Sequence, residues 1–128
     1  MQIEEITSAQ APPAIGPYSQ AVRTGGFAFF SGQIPLRFDG SLVEGGIVEQ
    51  TEQVMANMAA MLKAAGLDFC NVVKVTIYLT DLADFSLVNE IYGRHFAHPA
   101  PARACVQVAA LPRGVSIEID WIACSSVA

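Results

Sequence analysis

Val72-Val73-Lys74-Val75-Thr76-Ile77-Tyr78-Leu79 is a β-branched run set between two stretches of helical spacing, and that placement decides the fold. Alternation directs Val73, Val75, Ile77 and Leu79 to one face. Upstream, apolar or small residues recur after Ile47 at Thr51, Val54, Met55, Met58, Met61, Leu62 and Ala65. This is the pattern of an amphipathic helix, opened at Gly45-Gly46 and stopped at Gly66. Downstream, Asp84 is a candidate N-cap for a second helix carrying Phe85, Val88, Ile91, Tyr92 and Phe96. Ala21–Thr24 and Phe27–Ser31 flank Gly25-Gly26, a two-residue hairpin signal, and a short strand is expected at Ile3–Ile6. After the second helix, the loop His98–Pro101 leads into two further strand-like runs. The order ββ–α–β–α–ββ predicts an α+β two-layer sandwich, a mixed β-sheet with two helices on one face. Strands this apolar would not leave the other face wet, so packing against copies of the chain is expected.

Composition bounds the function. The 128 residues are expected to form a single domain, 1–128, with one good core. Apolar content of 52% against 15% charged residues is high for so small a chain and points to a subunit interface. A net charge of −5 without a Lys/Arg cluster argues against a nucleic-acid partner. No stretch is long and apolar enough for a membrane partner, and Met1-Gln2-Ile3-Glu4-Glu5 does not resemble a secretory signal. Cys70, Cys105 and Cys124 are odd in number and far apart, which suits reduced thiols in a cytoplasmic protein. His95 and His98 have no Cys or carboxylate at ligand spacing, so they read as surface or loop residues and no metal is expected.

Two of the apolar runs carry charge. Pro101-Ala102-Arg103-Ala104-Cys105-Val106-Gln107-Val108 places Arg103, Cys105 and Gln107 on one face, and Ile117-Glu118-Ile119-Asp120-Trp121-Ile122 does the same for Glu118 and Asp120. The short connection Leu111-Pro112-Arg113-Gly114 suggests that these strands pair antiparallel, with Arg103 and Glu118 projecting from neighbouring strands on the same side. Two readings fit: a small-anion site gripped by a guanidinium, or a structural cross-strand ion pair. Tyr18, Ser31, Gly32 and Asn89 sit at element ends or on a helix face, where they could line a ligand or serve packing alone. Cys105 near Arg103 is a tempting nucleophile, yet no His partner is evident, and a packed cysteine is the preferred reading. Walker, GxGxxG, GxSxG and HExxH motifs are absent. An anion clamp, a carboxylate and a water remain, which suffice to hydrolyse a reactive carbon–nitrogen double bond.

GPYSQA (Gly16–Ala21), SGQIP (Ser31–Pro35), AAGLD (Ala64–Asp68), VVKVTIYLTDLADF (Val72–Phe85), VNEIY (Val88–Tyr92), PARACVQVAALPRG (Pro101–Gly114) and IEIDWIA (Ile117–Ala123) together resemble the RidA (YjgF-type) family of reactive-intermediate imine/enamine deaminases. The resemblance runs from about Ile3 to Ala123. It implies a chorismate-mutase-like homotrimer, sheets inward and helices outward, with sites between subunits. It also implies a 2-iminobutanoate/2-iminopropanoate deaminase that needs no cofactor and releases 2-oxo acids and ammonia. Arg103 would hold the substrate carboxylate with help near Ser31 and Gly32, while Tyr18 and Asn89 would shape the pocket. Glu118 and the backbone at Cys105 would position the water. Related readings are a deaminase for aminoacrylate or 2-aminomuconate, and a non-catalytic 2-oxo-acid-binding or chaperone-like trimer. An RNA-cleaving role sits badly with the negative charge.

Overall fold

The computed structural model describes residues 2–125. Six strands form one sheet: β1 (Glu4–Ile6), β2 (Ala21–Thr24), β3 (Phe27–Gln33), β4 (Val72–Leu79), β5 (Ala102–Gln107) and β6 (Ile117–Cys124). Their spatial order is β1-β2-β3-β6-β4-β5, and only the β4–β5 pair is parallel. Helices α1 (Ile47–Ala64) and α2 (Phe85–Gly93) pack on one face. The expected mixed two-layer sandwich is the observed one.

Local chemistry explains the element ends. Gly25 takes φ +59 in the β2–β3 turn, a left-handed conformation that favours glycine. At the start of α1 the Gly46 N–H donates to Glu49 Oε1 at 2.8 Å, satisfying one of the orphan amides of the first turn. Its end is a Schellman closure: Gly66 adopts φ +73 and the Leu67 N–H returns to the Leu62 carbonyl at 2.9 Å. Val54, Met55, Met58, Met61 and Leu62 of α1 and Val88, Ile91 and Tyr92 of α2 meet Val75, Ile77, Leu79, Ile117, Ile119 and Trp121 of the sheet. Phe30 stacks on Trp121 with ring centres 4.7 Å apart.

Several expectations need correction. Val73 is 42% exposed and does not share the face of Val75, because the β4–β6 register shifts between Val72 and Lys74. Asp84 flanks α2 without a capping hydrogen bond; Asp81 instead caps a 3-10 turn, accepting from the Ala83 N–H at 2.9 Å. Phe96 lies beyond the end of α2, packed on Tyr92. The largest correction concerns β5 and β6, which do not pair, since β4 runs between them. Residues 108–116 are long enough to pass over β4, so β5 pairs β4 in parallel and β6 returns antiparallel on its other side.

The face opposite the helices is open. Register places Val22, Phe29 and Ile122 there in a row, with Tyr78 and Val106 alongside. Phe27 is 47% exposed and Phe29 40%.

Candidate functional site

Arg103 and Glu118 stand on opposite faces of the sheet. Arg103 is in register with Val75, whose side chain is buried under the helices. Glu118 is in register with Tyr78 on the open face. One chain therefore presents two separate groups of the expected residues, contrary to the same-side arrangement inferred from the two runs.

The first group lies along the outer strand β5 and the exposed flank of α2. The Arg103 guanidinium stands over the Tyr92 ring at 5.0 Å and the Phe85 ring at 5.4 Å. Its Nη1 donates to Asn89 Oδ1 at 2.7 Å. The ion pairs among the described residues join Arg94 to Glu52 and Glu90, so Arg103 pairs with no described carboxylate. Cys105 follows on the same face, partly buried against the core, and burial raises its thiol pKa against the opposing pull of Arg103. That disfavours a thiolate nucleophile and agrees with the packed reading. Gln107 accepts from the Leu82 N–H at 2.9 Å and ties β5 to the approach to α2.

The second group surrounds a cavity of about 560 Å³ lined by Tyr18, Ser31, Gly32, Ile34, Arg113 and Glu118 among others. Gly32 touches Glu118 so closely that a β-carbon there would stand 2.1 Å from Glu118 Oε2. Ser31 Oγ donates to the Ser19 carbonyl at 2.6 Å, and Tyr18 Oη accepts from the Ile15 N–H at 3.3 Å. Burial first, and then the nearby Asp120 charge, push the Glu118 pKa up. Tyr78 Oη donates to Asp120 Oδ2 at 2.9 Å, and this bond followed by burial raises the Tyr78 pKa.

Two contributors are absent from the sequence reading. Buried Gln20 donates to the Pro12 carbonyl at 2.8 Å and exchanges bonds with the Ser8 backbone, holding residues 8–12 beside the cavity. Buried Asn57 on α1 donates to the Leu36 carbonyl at 2.9 Å and fixes the segment after β3. Neither leaves a mark in local periodicity. Phe85, Asn89 and Tyr92, by contrast, have i, i+4, i+7 spacing, and that pattern signals a shared helix face. Among the described residues no group of three or more His, Cys, Asp or Glu side chains could hold a metal ion. His95 packs half-buried against Phe69, and His98 lies exposed in the following loop.

A family model described as endoribonuclease L-PSP matches residues 8–125. Protein DfrA of Myxococcus xanthus is 57% identical over 128 residues, covering 98% of each chain. The 2-iminobutanoate/2-iminopropanoate deaminase of Mus musculus is 53% identical over 119 residues, 92% of this chain and 88% of the relative. Among solved structures, Escherichia coli TdcF with bound serine gives a TM-score of 0.89 at 42% identity, covering 96% of this chain and 99% of that one. Similarity of this depth along almost the whole length leaves one assignment: the chain belongs to the endoribonuclease L-PSP family, that of the RidA reactive-intermediate deaminases.

Proposed function

We propose that the protein is a 2-iminobutanoate/2-iminopropanoate deaminase whose site forms between copies of the chain in a homotrimer. One observation carries this reading. A braced guanidinium that pairs with no described carboxylate and a half-buried carboxylate in an apolar cavity lie on opposite faces of one sheet. Each group lacks what the other supplies, and the open apolar face offers the surface on which copies can meet.

In that arrangement Arg103 of one copy, with Asn89 and Cys105, faces Glu118, Tyr18, Ser31 and Gly32 of the next. Arg103 holds the substrate carboxylate through charge-assisted hydrogen bonds of about 1.5–3 kcal/mol each. That grip fixes the imine carbon relative to a water on Glu118. The imine enters protonated on nitrogen by solvent. Glu118 takes a proton from the water as its oxygen bonds to C2 and the carbon–nitrogen π pair moves to nitrogen, giving a carbinolamine. The proton on Glu118 then passes to the amine. The hydroxyl proton returns to solvent as the carbon–oxygen double bond forms and the carbon–nitrogen bond breaks, and a 2-oxo acid and ammonia leave. The oxygen in the ketone comes from water, and no redox step occurs. The serine-bound relative shows that a family member takes up a small carboxylate-bearing molecule, which supports this ligand class. A chain of net charge −5 is poorly suited to a polyanion such as RNA. Three unpaired cysteines support a reducing cytoplasmic location, and no described helix is long and apolar enough to cross a membrane.

The direct test generates 2-iminobutanoate in situ with an amino-acid oxidase and traps surviving imine with semicarbazide. Wild-type protein should speed the loss of imine and Arg103→Ala should not. Equal decay with wild type and with buffer overturns the reading.

Two further outcomes follow from the carboxylate. Gly32→Ala forces Glu118 aside, so turnover should drop by about 10²-fold, the scale of a 1 Å misplacement, while the protein still unfolds cooperatively. Full activity in that variant would remove Glu118 from the reaction. The second concerns pH. Burial and the Asp120 charge raise the Glu118 pKa within one chain while Arg103 of the next copy opposes them, so the acid limb of kcat/KM should respond to each of the three. Asp120→Asn removes the like charge and should move that limb toward lower pH. An unmoved limb in a pH-rate profile would assign the titration to another group.

A further inference from the structure

Arg103 is held in an unusual way for a cation on a strand. Its Cζ lies over two rings and its Nη1 touches one amide oxygen, and no described acid pairs with it. A carboxylate brace would have occupied the same in-plane N–H groups that grip a substrate carboxylate. Rings attract the cation through its face and leave the edge free. Asn89 takes one of the five N–H groups and fixes rotation in the plane.

Tyr92 sharpens the point. It is 5% exposed, and its hydroxyl is buried without a hydrogen-bond partner. Its ring packs on Phe96 at 4.6 Å on one side and meets Arg103 at 5.0 Å. Among the described residues the hydroxyl has no hydrogen-bond partner, whereas the ring packs on Phe96 and meets Arg103. Phe85 is only partly buried, so packing alone places a weaker demand on an aromatic there.

We propose that Phe85 and Tyr92 are positioning residues that form an aromatic shelf for Arg103, presenting its guanidinium edge-on to the substrate carboxylate; this rests on the deaminase reading above. The shelf acts through Arg103 and touches no reacting atom. It also explains why the grip sits on an outer strand, where a long side chain would otherwise sample many rotamers.

The experiment compares Phe85→Leu, Phe85→Tyr and Tyr92→Phe with wild type in the imine assay. Phe85→Leu should raise KM about two- to fivefold with little change in kcat, the scale of one exposed cation–π contact. Phe85→Tyr and Tyr92→Phe keep the rings and should keep KM. In an Arg103→Ala background, assayed at higher protein concentration, Phe85→Leu should change nothing further. NMR of the free protein supplies a reading independent of turnover: the Arg103 Cδ protons should be ring-shifted in wild type and less so in Phe85→Leu. An unchanged KM in Phe85→Leu, or the same fold-loss with and without Arg103, overturns the shelf. Absence of wild-type turnover with the ring shift intact would instead strike the deaminase reading and leave the shelf standing.

Discussion

Arg103→Lys is expected to lower kcat/KM for 2-iminobutanoate by about 10- to 100-fold, although the positive charge is kept. An ammonium is a compact point donor and cannot make two parallel bonds to a carboxylate. It also loses the guanidinium whose Cζ lies over Tyr92 and Phe85. Losing one charge-assisted bond of about 1.5–3 kcal/mol accounts for most of the fall, and poorer alignment of the imine carbon accounts for the rest. Arg103→Ala should fall further, into the range of about 10²–10⁴-fold, since both bonds go. The ratio between the two variants separates charge from geometry. Wild-type-like turnover in the lysine variant, measured by semicarbazide trapping, would show that a positive charge alone suffices and would remove the two-pronged grip.

The second large effect is recovery of activity from two dead proteins. Arg103→Ala and Glu118→Gln should each be nearly inactive alone. Unfolded together and refolded as a mixture, they should regain activity. With random assembly about three trimers in four are mixed, each holding one intact site in three, so about one quarter of wild-type turnover returns. The reason is the placement of Arg103 beneath α2 and of Glu118 on the open face. A site built within one chain would give no recovery at any mixing ratio. Mass measurement of the mixture checks that the species are trimers, and a dimeric or monomeric result would reject the proposed assembly.

Most of the fold could be read from local pattern because its causes are local. The α1 positions Val54, Met55, Met58, Met61 and Leu62 are all buried, and the helix opens at Gly46 and closes at Gly66 as the glycines suggested. The short connection near Pro112 points to a β5–β6 hairpin, but the helix preceding β5 decides the pairing. Strand β4, helix α2 and strand β5 form a βαβ crossover, which requires β5 to lie parallel to its predecessor, and nothing local at Arg103 reveals that. Val73 escaped for a different reason: the register shift near the start of β4 depends on its partner Ala123. The residue types of the site were legible, since an arginine and a glutamate in apolar runs are conspicuous. Their geometry was not, because the contacts from Asn89 to Arg103 and from Gly32 to Glu118 join distant parts of the chain.

The opposite placement of Arg103 and Glu118 also bears on how the protein behaves in a cell that is making it. If chemistry needs two copies, a newly synthesised chain is inert until it has met others. Activity then rises more steeply than concentration at low expression and falls disproportionately on dilution. In that case a lesion at either residue in some of the copies would spoil only those junctions to which it contributes, and the other junctions of the same assembly would keep working.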